Sequence, residues 1–358
     1  MMPQRCTAWF RMTAALSIFM LALCVAPHLP AVGLTQGTLP ASLTDREFWE
    51  IIERISEPDG FFRSNSGSTD NLLSNETTVS ALAAELSQRV KPSGVYLGVG
   101  PEQNFSFIAA VHPRMAFITD IRRGNLHVHL MYKALFEMSA TRADFVARLF
   151  TRKRPAGLTD KSTATQLMAA YLRVPPDGDA AFNSNFAAIV DHLTKTRSLP
   201  LRADDLDGIK YVYQNFYRFG PGITYTSSSG GRSNTPSYAD LMSRKDRTGS
   251  ERTYLASEAN FLTVRALEKQ NLIVPIVGDF AGPKALRAVG AYLKDKNAVV
   301  TAFYLSNVED YLQNNGSWPI FCENAASLPL DVDSAFIRPN GRFALVSIVD
   351  ETSGCRRN

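Results

Sequence analysis

The residues best suited to chemistry in this chain are a glycine turn and the carboxylates that follow it at regular intervals. In residues 94–105, Gly-Val-Tyr-Leu-Gly-Val-Gly-Pro-Glu-Gln-Asn-Phe, Gly98 and Gly100 allow a tight turn and close approach of backbone to a ligand. Glu102, Gln103 and Asn104 bring polar side chains to the same turn. About twenty residues later an apolar run over 115–119 ends in Asp120, the spacing at which an acid meets ribose hydroxyls in dinucleotide or nucleoside sites. Another apolar run, 272–277, leads into Gly278, Asp279 and Phe280, and a further one, 299–305, leads into Ser306 and Asn307. Carboxylates so placed can accept ligand hydroxyls or act as acid and base. The pattern specifies a class of ligand rather than a reaction.

These groups act together only if the elements carrying them converge. Val95, Tyr96, Leu97 and Val99 are β-prone and apolar, so 94–100 reads as a buried strand entering the turn. The runs at 115–119, 272–277 and 299–305 read as further strands, with Pro275 arguing against an unbroken central ladder for its own segment. Helical spacing predicts helices over 41–56, capped by Thr44 or Asp45, and over 77–90, capped by Ser74 or Asn75 with Glu76 favouring its dipole. Leu126, Leu130, Ala134 and Met138 predict an amphipathic helix over 122–139, packed on the sheet. His127 and His129 lie two apart on it and point to different sides, so they read as ordinary helix residues, and no metal is expected.

Strands alternating with helices specify an α/β fold with a mostly parallel, Rossmann-like sheet, helices on both faces and ligands at the strand carboxyl ends. A helical insertion is expected over about 140–208, and residues 331–358 read as a tail beyond a domain of about 40–330. The aromatic-rich stretch 209–219 fits helix or strand. The Gly-, Ser- and Asn-rich stretches 58–75 and 226–237 read as long loops, the second a possible lid.

Residues 1–33 have the order of a secretory signal: Arg5 and Arg11, an uncharged run over 12–26, then small residues at 31–33. Cleavage and export to a periplasmic or secreted location are expected, and an uncleaved segment would serve as a membrane anchor with the body on the outer face. Removing this segment takes the formal net charge from +4 to +2, which does not argue for nucleic acid. Of the four cysteines, Cys322 and Cys355 remain; in an oxidising compartment they can pair, or Cys322 is buried and Cys355 free. No Gly-x-Ser-x-Gly elbow is present in 226–237 to support a serine hydrolase of that type.

In fold the sequence resembles the class I S-adenosylmethionine-dependent methyltransferases. It is more closely similar to a family of uncharacterised proteins carrying Ser-Asn-Glu (74–76), Gly-Val-Gly-x-Glu-Gln-Asn-Phe (98–105), Thr-Asp-x-Arg-Arg (119–123) and Val-Gly-Asp-Phe-x-Gly (277–282), a resemblance covering roughly 45–330. The methyltransferase resemblance implies S-adenosylmethionine as cofactor, with Gly98, Gly100 and Asp120 matching its pattern; Glu102, Gln103, Asn104, Asp279 and Phe280, at the same strand ends, are expected to join them in binding it. Asp120 would grip the ribose, Phe280 would face the adenine and Glu102 the cationic sulfonium. Tyr96 stands where an acid is usual, and Glu102 where the third glycine is usual. Arg122 and Arg123 suit an acidic ligand better. The alternatives are an exported small-molecule-binding or scaffold protein on a degenerate version of this fold, and a hydrolase or other transferase using Glu102, Asp120 or Asp279 as acid and base.

Overall fold

A computed structural model describes residues 38–61, 70–229, 235–339 and 344–355, all within a unit spanning residues 36–358. The expected signal at 1–33 lies outside the described residues, as do parts of the loops 58–75 and 226–237. Helix α1 (Asp45–Ile55) opens on a capping box: Thr44 Oγ1 accepts the Glu47 N–H, and the Glu47 carboxylate accepts the Thr44 N–H. Its Phe48, Ile51, Ile52 and Ile55 are buried, and the helix lies against a sheet edge.

After α2 (Val79–Arg89) the chain enters β1 (Val95–Gly98), α3 (Gln103–Val111), β2 (Met115–Asp120) and α4 (Arg123–Met138). Helices α5 (Arg142–Leu149), α6 (Ala164–Leu172), α7 (Asp179–Asp191), α8 (Ala203–Phe219), α9 (Tyr238–Met242) and α10 (Glu258–Lys269) then precede β3 (Ile273–Val277). The chain continues through α11 (Ala285–Asp295), β4 (Val300–Tyr304), α12 (Val308–Asn314), α13 (Trp318–Ala326), β5 (Ala335–Ile337), β6 (Leu345–Ser347) and α14 (Ile348–Glu351). The sheet has the order β3-β2-β1-β4-β5-β6. All neighbours are parallel except β5 and β6. Strands β1 to β4 are buried at every residue, as expected where helices cover both faces.

Several expectations change. The helical segment between β2 and β3 is longer than 140–208, running on through α8, α9 and α10. It buries nearly all of α4, so that helix is not one-sided. Residues 209–219 are helical: Ile209, Val212, Tyr213 and Phe216 sit at i, i+3, i+4 and i+7 and are all buried. Residues 331–358 are not merely a tail, because β5 and β6 complete the sheet and Cys355 is disulfide-bonded to Cys322 of α13. Pro275 lies on the edge strand. Its neighbour at i+2, Val277, turns outward, donating its N–H to Ser56 Oγ and accepting the Glu57 N–H on its carbonyl. Pro275 faces the same way, where a missing N–H breaks no ladder bond. The core centres on Phe105, whose ring meets Tyr132, Phe136 and Tyr254 edge-on. Among the described residues no helix is long and apolar enough to cross a membrane.

Candidate functional site

The turn after β1 is built from beneath. A Cβ on Gly98 would come within 2.0 Å of Asn104 Oδ1, so that position must stay bare. Asn104 is fully buried and donates from Nδ2 to the carbonyls of Val99, Gly100 and Pro101 at 2.8–3.1 Å. Its Oδ1 accepts the Tyr96 hydroxyl at 2.8 Å, which gives Tyr96 a structural role in place of the acid usual there. His129 of α4 donates from Nε2 to the Gly100 carbonyl at 2.9 Å, fixing its tautomer, and burial pushes its pKa down to about 4. Gly100 itself has φ +76°, a conformation that favours glycine.

Above this turn lies a cavity of about 530 Å³ at the carboxyl ends of the strands, within the range of small-molecule sites. Gly100, Gln103, Asp120, Asp279 and Phe280 line it, together with Ser306 and Asn307. The strand tips singled out in the sequence therefore do meet. Gly98, Glu102 and Asn104 are not among its lining residues. Glu102 is turned inward, where its carboxyl accepts the Ser74 N–H at 3.2 Å, and burial raises its pKa to about 8. It joins the 70–78 loop to the turn and does not face the cavity, so neither a sulfonium contact nor acid–base work on a ligand there is open to it.

Asp120 ends β2 and is 5% exposed. Its Oδ1 accepts the backbone N–H of Arg122 at 3.0 Å and the Arg122 Nε–H at 3.3 Å. Arg123 points elsewhere, donating from Nε to Asp205 Oδ1 at 2.7 Å. His127 meets the same Oδ1 at 3.0 Å. Burial pushes the Asp205 pKa up, but these partners outweigh it and hold the acid well below the usual carboxylate range. Asp279 Oδ1 accepts the Ala281 N–H at 2.9 Å, an Asx turn that leaves Asp279 in the cavity wall. Phe280 lines the cavity, but its ring is 3% exposed and packs against Phe303 and Phe321. It is a core residue, not an open platform for a base.

Two acids with roles beyond those expected complete the site. Glu57, just past α1, accepts the N–H groups of Asp279, Lys284 and Ala285 at 2.8–3.0 Å and so holds the β3–α11 turn from outside. Glu57→Ala is expected to lose about 1–2 kcal/mol in chemical denaturation, because it strands two donors at the start of α11 and one just after β3. Glu76 is not a first-turn residue of α2; that helix starts after Thr78, whose side chain makes no capping bond. Ser74 and Asn75 are likewise not caps, and both line the cavity. The Glu76 carboxylate lies in the cavity wall and accepts the hydroxyls of Tyr304 and Ser306. Burial raises its pKa. Only the Ser-Asn-Glu motif gave a sign of Glu76 in the sequence, and nothing marked Glu57. Among the described residues no cluster of His, Cys, Asp and Glu is arranged to hold a metal.

A family model described as a domain of unknown function (DUF7790) matches residues 72–351. No curated protein matches the chain.

Proposed function

Because the chain belongs to the DUF7790 family, a domain of unknown function, we propose its role from the cavity: an exported, methyltransferase-like protein that binds a nucleoside-like small molecule, with S-adenosylmethionine as its ligand. One observation carries this reading. The Gly100 turn after β1, Asp120 at the end of β2 and Asp279 just after β3 line a single cavity, in the crevice where doubly wound sheets take their ligands.

The residues present suit the group. Gly100 gives close backbone approach, Asp120 is the carboxylate for the ribose, and Phe61, Tyr225 and Tyr311 bring rings to the wall. Glu76, Asp120 and Asp279 set three carboxylates against the Arg122 guanidinium, which complements a cationic ligand. S-adenosylmethionine supplies an electrophilic methyl group when bound; the chain's part is to orient the reactants and exclude water. Export is supported by the Cys322–Cys355 bond, since disulfides persist in oxidising compartments. A second reading, binding without turnover, is favoured by the Arg122 guanidinium already resting on Asp120 Oδ1.

Calorimetry on the purified protein tests the proposal. S-adenosylmethionine or S-adenosylhomocysteine is expected to bind, and Asp120→Ala to weaken both about tenfold or more, the scale of a lost hydrogen bond to a charged group. No heat from either ligand would overturn the nucleoside reading. Binding with no methyl transfer to any acceptor offered would favour the second reading.

A further inference from the structure

In the cavity wall near the ends of β1 and β4, the side-chain protons around Glu76 and Gln103 are already engaged. The Ser306 hydroxyl in the wall and the Tyr304 hydroxyl buried behind it both donate to the Glu76 carboxylate. Gln103 Nε2 donates to the Val99 carbonyl at 3.1 Å and to the Tyr304 hydroxyl oxygen at 3.4 Å. The carbonyl partner fixes which way the amide faces, since only NH₂ can bond to it. Gln103 Oε1 is then buried without a partner, on a residue 4% exposed that lines the cavity. Every proton on these side chains that is directed at a partner is used inside the wall. What these side chains leave for a ligand is lone pairs: Gln103 Oε1, the Glu76 carboxylate and the Ser306 hydroxyl oxygen. Ser306 is held at φ +52°, an unfavourable conformation for serine that the surrounding structure must enforce.

An unpartnered buried acceptor beside a carboxylate is a costly arrangement unless a donor completes it. We propose that this wall is an amine subsite, with Gln103 Oε1 and Glu76 receiving the N–H groups of a protonated amine on the ligand. Arg122, the guanidinium in the cavity wall, bonds Asp120 at the end of β2, so the two sides of the cavity differ in charge. A neutral hydroxyl of the same size would satisfy one acceptor and leave the carboxylate uncompensated. The substrate class is thus narrowed to a molecule with a cationic amine. This rests on the nucleoside reading only for its choice of large ligand.

The test uses two pairs of probes on the full chain. In calorimetry, S-adenosylhomocysteine is compared with its deamino analogue, in which the amino-bearing carbon is a methylene. Wild type is expected to favour the amine by about tenfold or more, and Glu76→Gln to erase that preference while changing affinity for the deamino analogue less than about threefold. In the second arm, n-butylammonium and n-butanol are titrated while the Gln103 side-chain amide resonance is followed by NMR, assigned by its loss in Gln103→Glu. Saturable movement with the ammonium and little with the alcohol is expected. If neither nucleoside binds but the ammonium still moves the Gln103 signal, the amine subsite stands and the nucleoside reading falls. Equal binding of the two nucleosides by wild type, or equal response to ammonium and alcohol, overturns the subsite.

Discussion

Lys133→Met is expected to destabilise the protein by about 3–5 kcal/mol, the cost of removing one partner from a buried ion pair. Lys133 is 1% exposed in the middle of α4. Its Nζ lies 2.8 Å from Glu137, donates to the Glu268 carbonyl at 2.5 Å, and sits 4.8 Å from the centre of the Phe48 ring of α1. It therefore ties α1, α4 and α10 together at one point. Burial raises the Glu137 pKa, but hydrogen bonds from His192, Lys133 and Arg197 overcome this and bring it down to about 2. Glu137 is charged at neutral pH, and without Lys133 it keeps only part of its compensation. Glu268 differs: its carboxylate is 3.9 Å from Lys133, and burial raises its pKa to about 8, so it carries a proton at neutral pH. Glu268→Gln is accordingly expected to change stability by less than about 1 kcal/mol. Urea unfolding of both variants at pH 7 decides the matter. A loss below about 1 kcal/mol for Lys133→Met would show that the lysine charge is not compensating a buried carboxylate.

The second large effect is a loss of stability as pH rises, removed in part by Glu102→Gln. A carboxyl whose folded pKa is raised binds its proton more tightly when folded, so its contribution is complete below the unfolded pKa and is lost as pH rises through the folded one. For Glu102 that interval runs from the ordinary 4.5 to about 8, a displacement corresponding to losses on the order of 3–5 kcal/mol between pH 5 and pH 9. Burial is the main cause; the Ser74 N–H bond acts in the opposite direction. Glu268 contributes a similar slope over the same interval. Wild type should therefore melt lower at pH 9 than at pH 5, the depressed His129 pKa working against the decline between about pH 4 and 6.5, and Glu102→Gln should flatten part of that decline while keeping an acceptor for Ser74. An unchanged slope in the variant would mean that Glu102 is already ionised in the folded protein. The Glu137 contribution has the opposite sign: its depressed pKa gives stability that is present above its unfolded value and lost as the pH falls toward 2.

The sequence made the sheet and the cavity rim at its strand ends legible because both rest on local chemistry. Buried parallel strands are continuous apolar runs, and the glycine turn, Asp120, Asp279 and Ser306 each follow such a run directly. What was not legible depends on direction and on partners far along the chain. Glu102, Gln103 and Asn104 are consecutive, yet Gln103 alone among them lines the cavity, because the start of α3 turns successive side chains about the helix axis. Ser74 and Asn75 looked like caps, and Glu76 like a first-turn acid, because a helix follows. Ser74 instead meets Glu102, and Glu76 meets Tyr304 and Ser306, which no local pattern relates to them. Phe280 looked open because it follows a strand and a glycine, but Phe303 and Phe321 enclose it. Strands β5 and β6, of three residues each, are too short to show an alternation. The pairing of Cys322 with Cys355 was one of two open possibilities.

The placement of Pro275 has a consequence for how the molecule behaves among its own copies. One margin of the sheet is β3, where proline lacks the donor that an incoming strand would need and the next outward-facing residue, Val277, is already bonded to Ser56 and Glu57. The opposite margin is β6, only three residues long and running straight into α14. Short or proline-bearing margins resist edge-to-edge association, so neither side offers a template for fibrillar growth at high concentration.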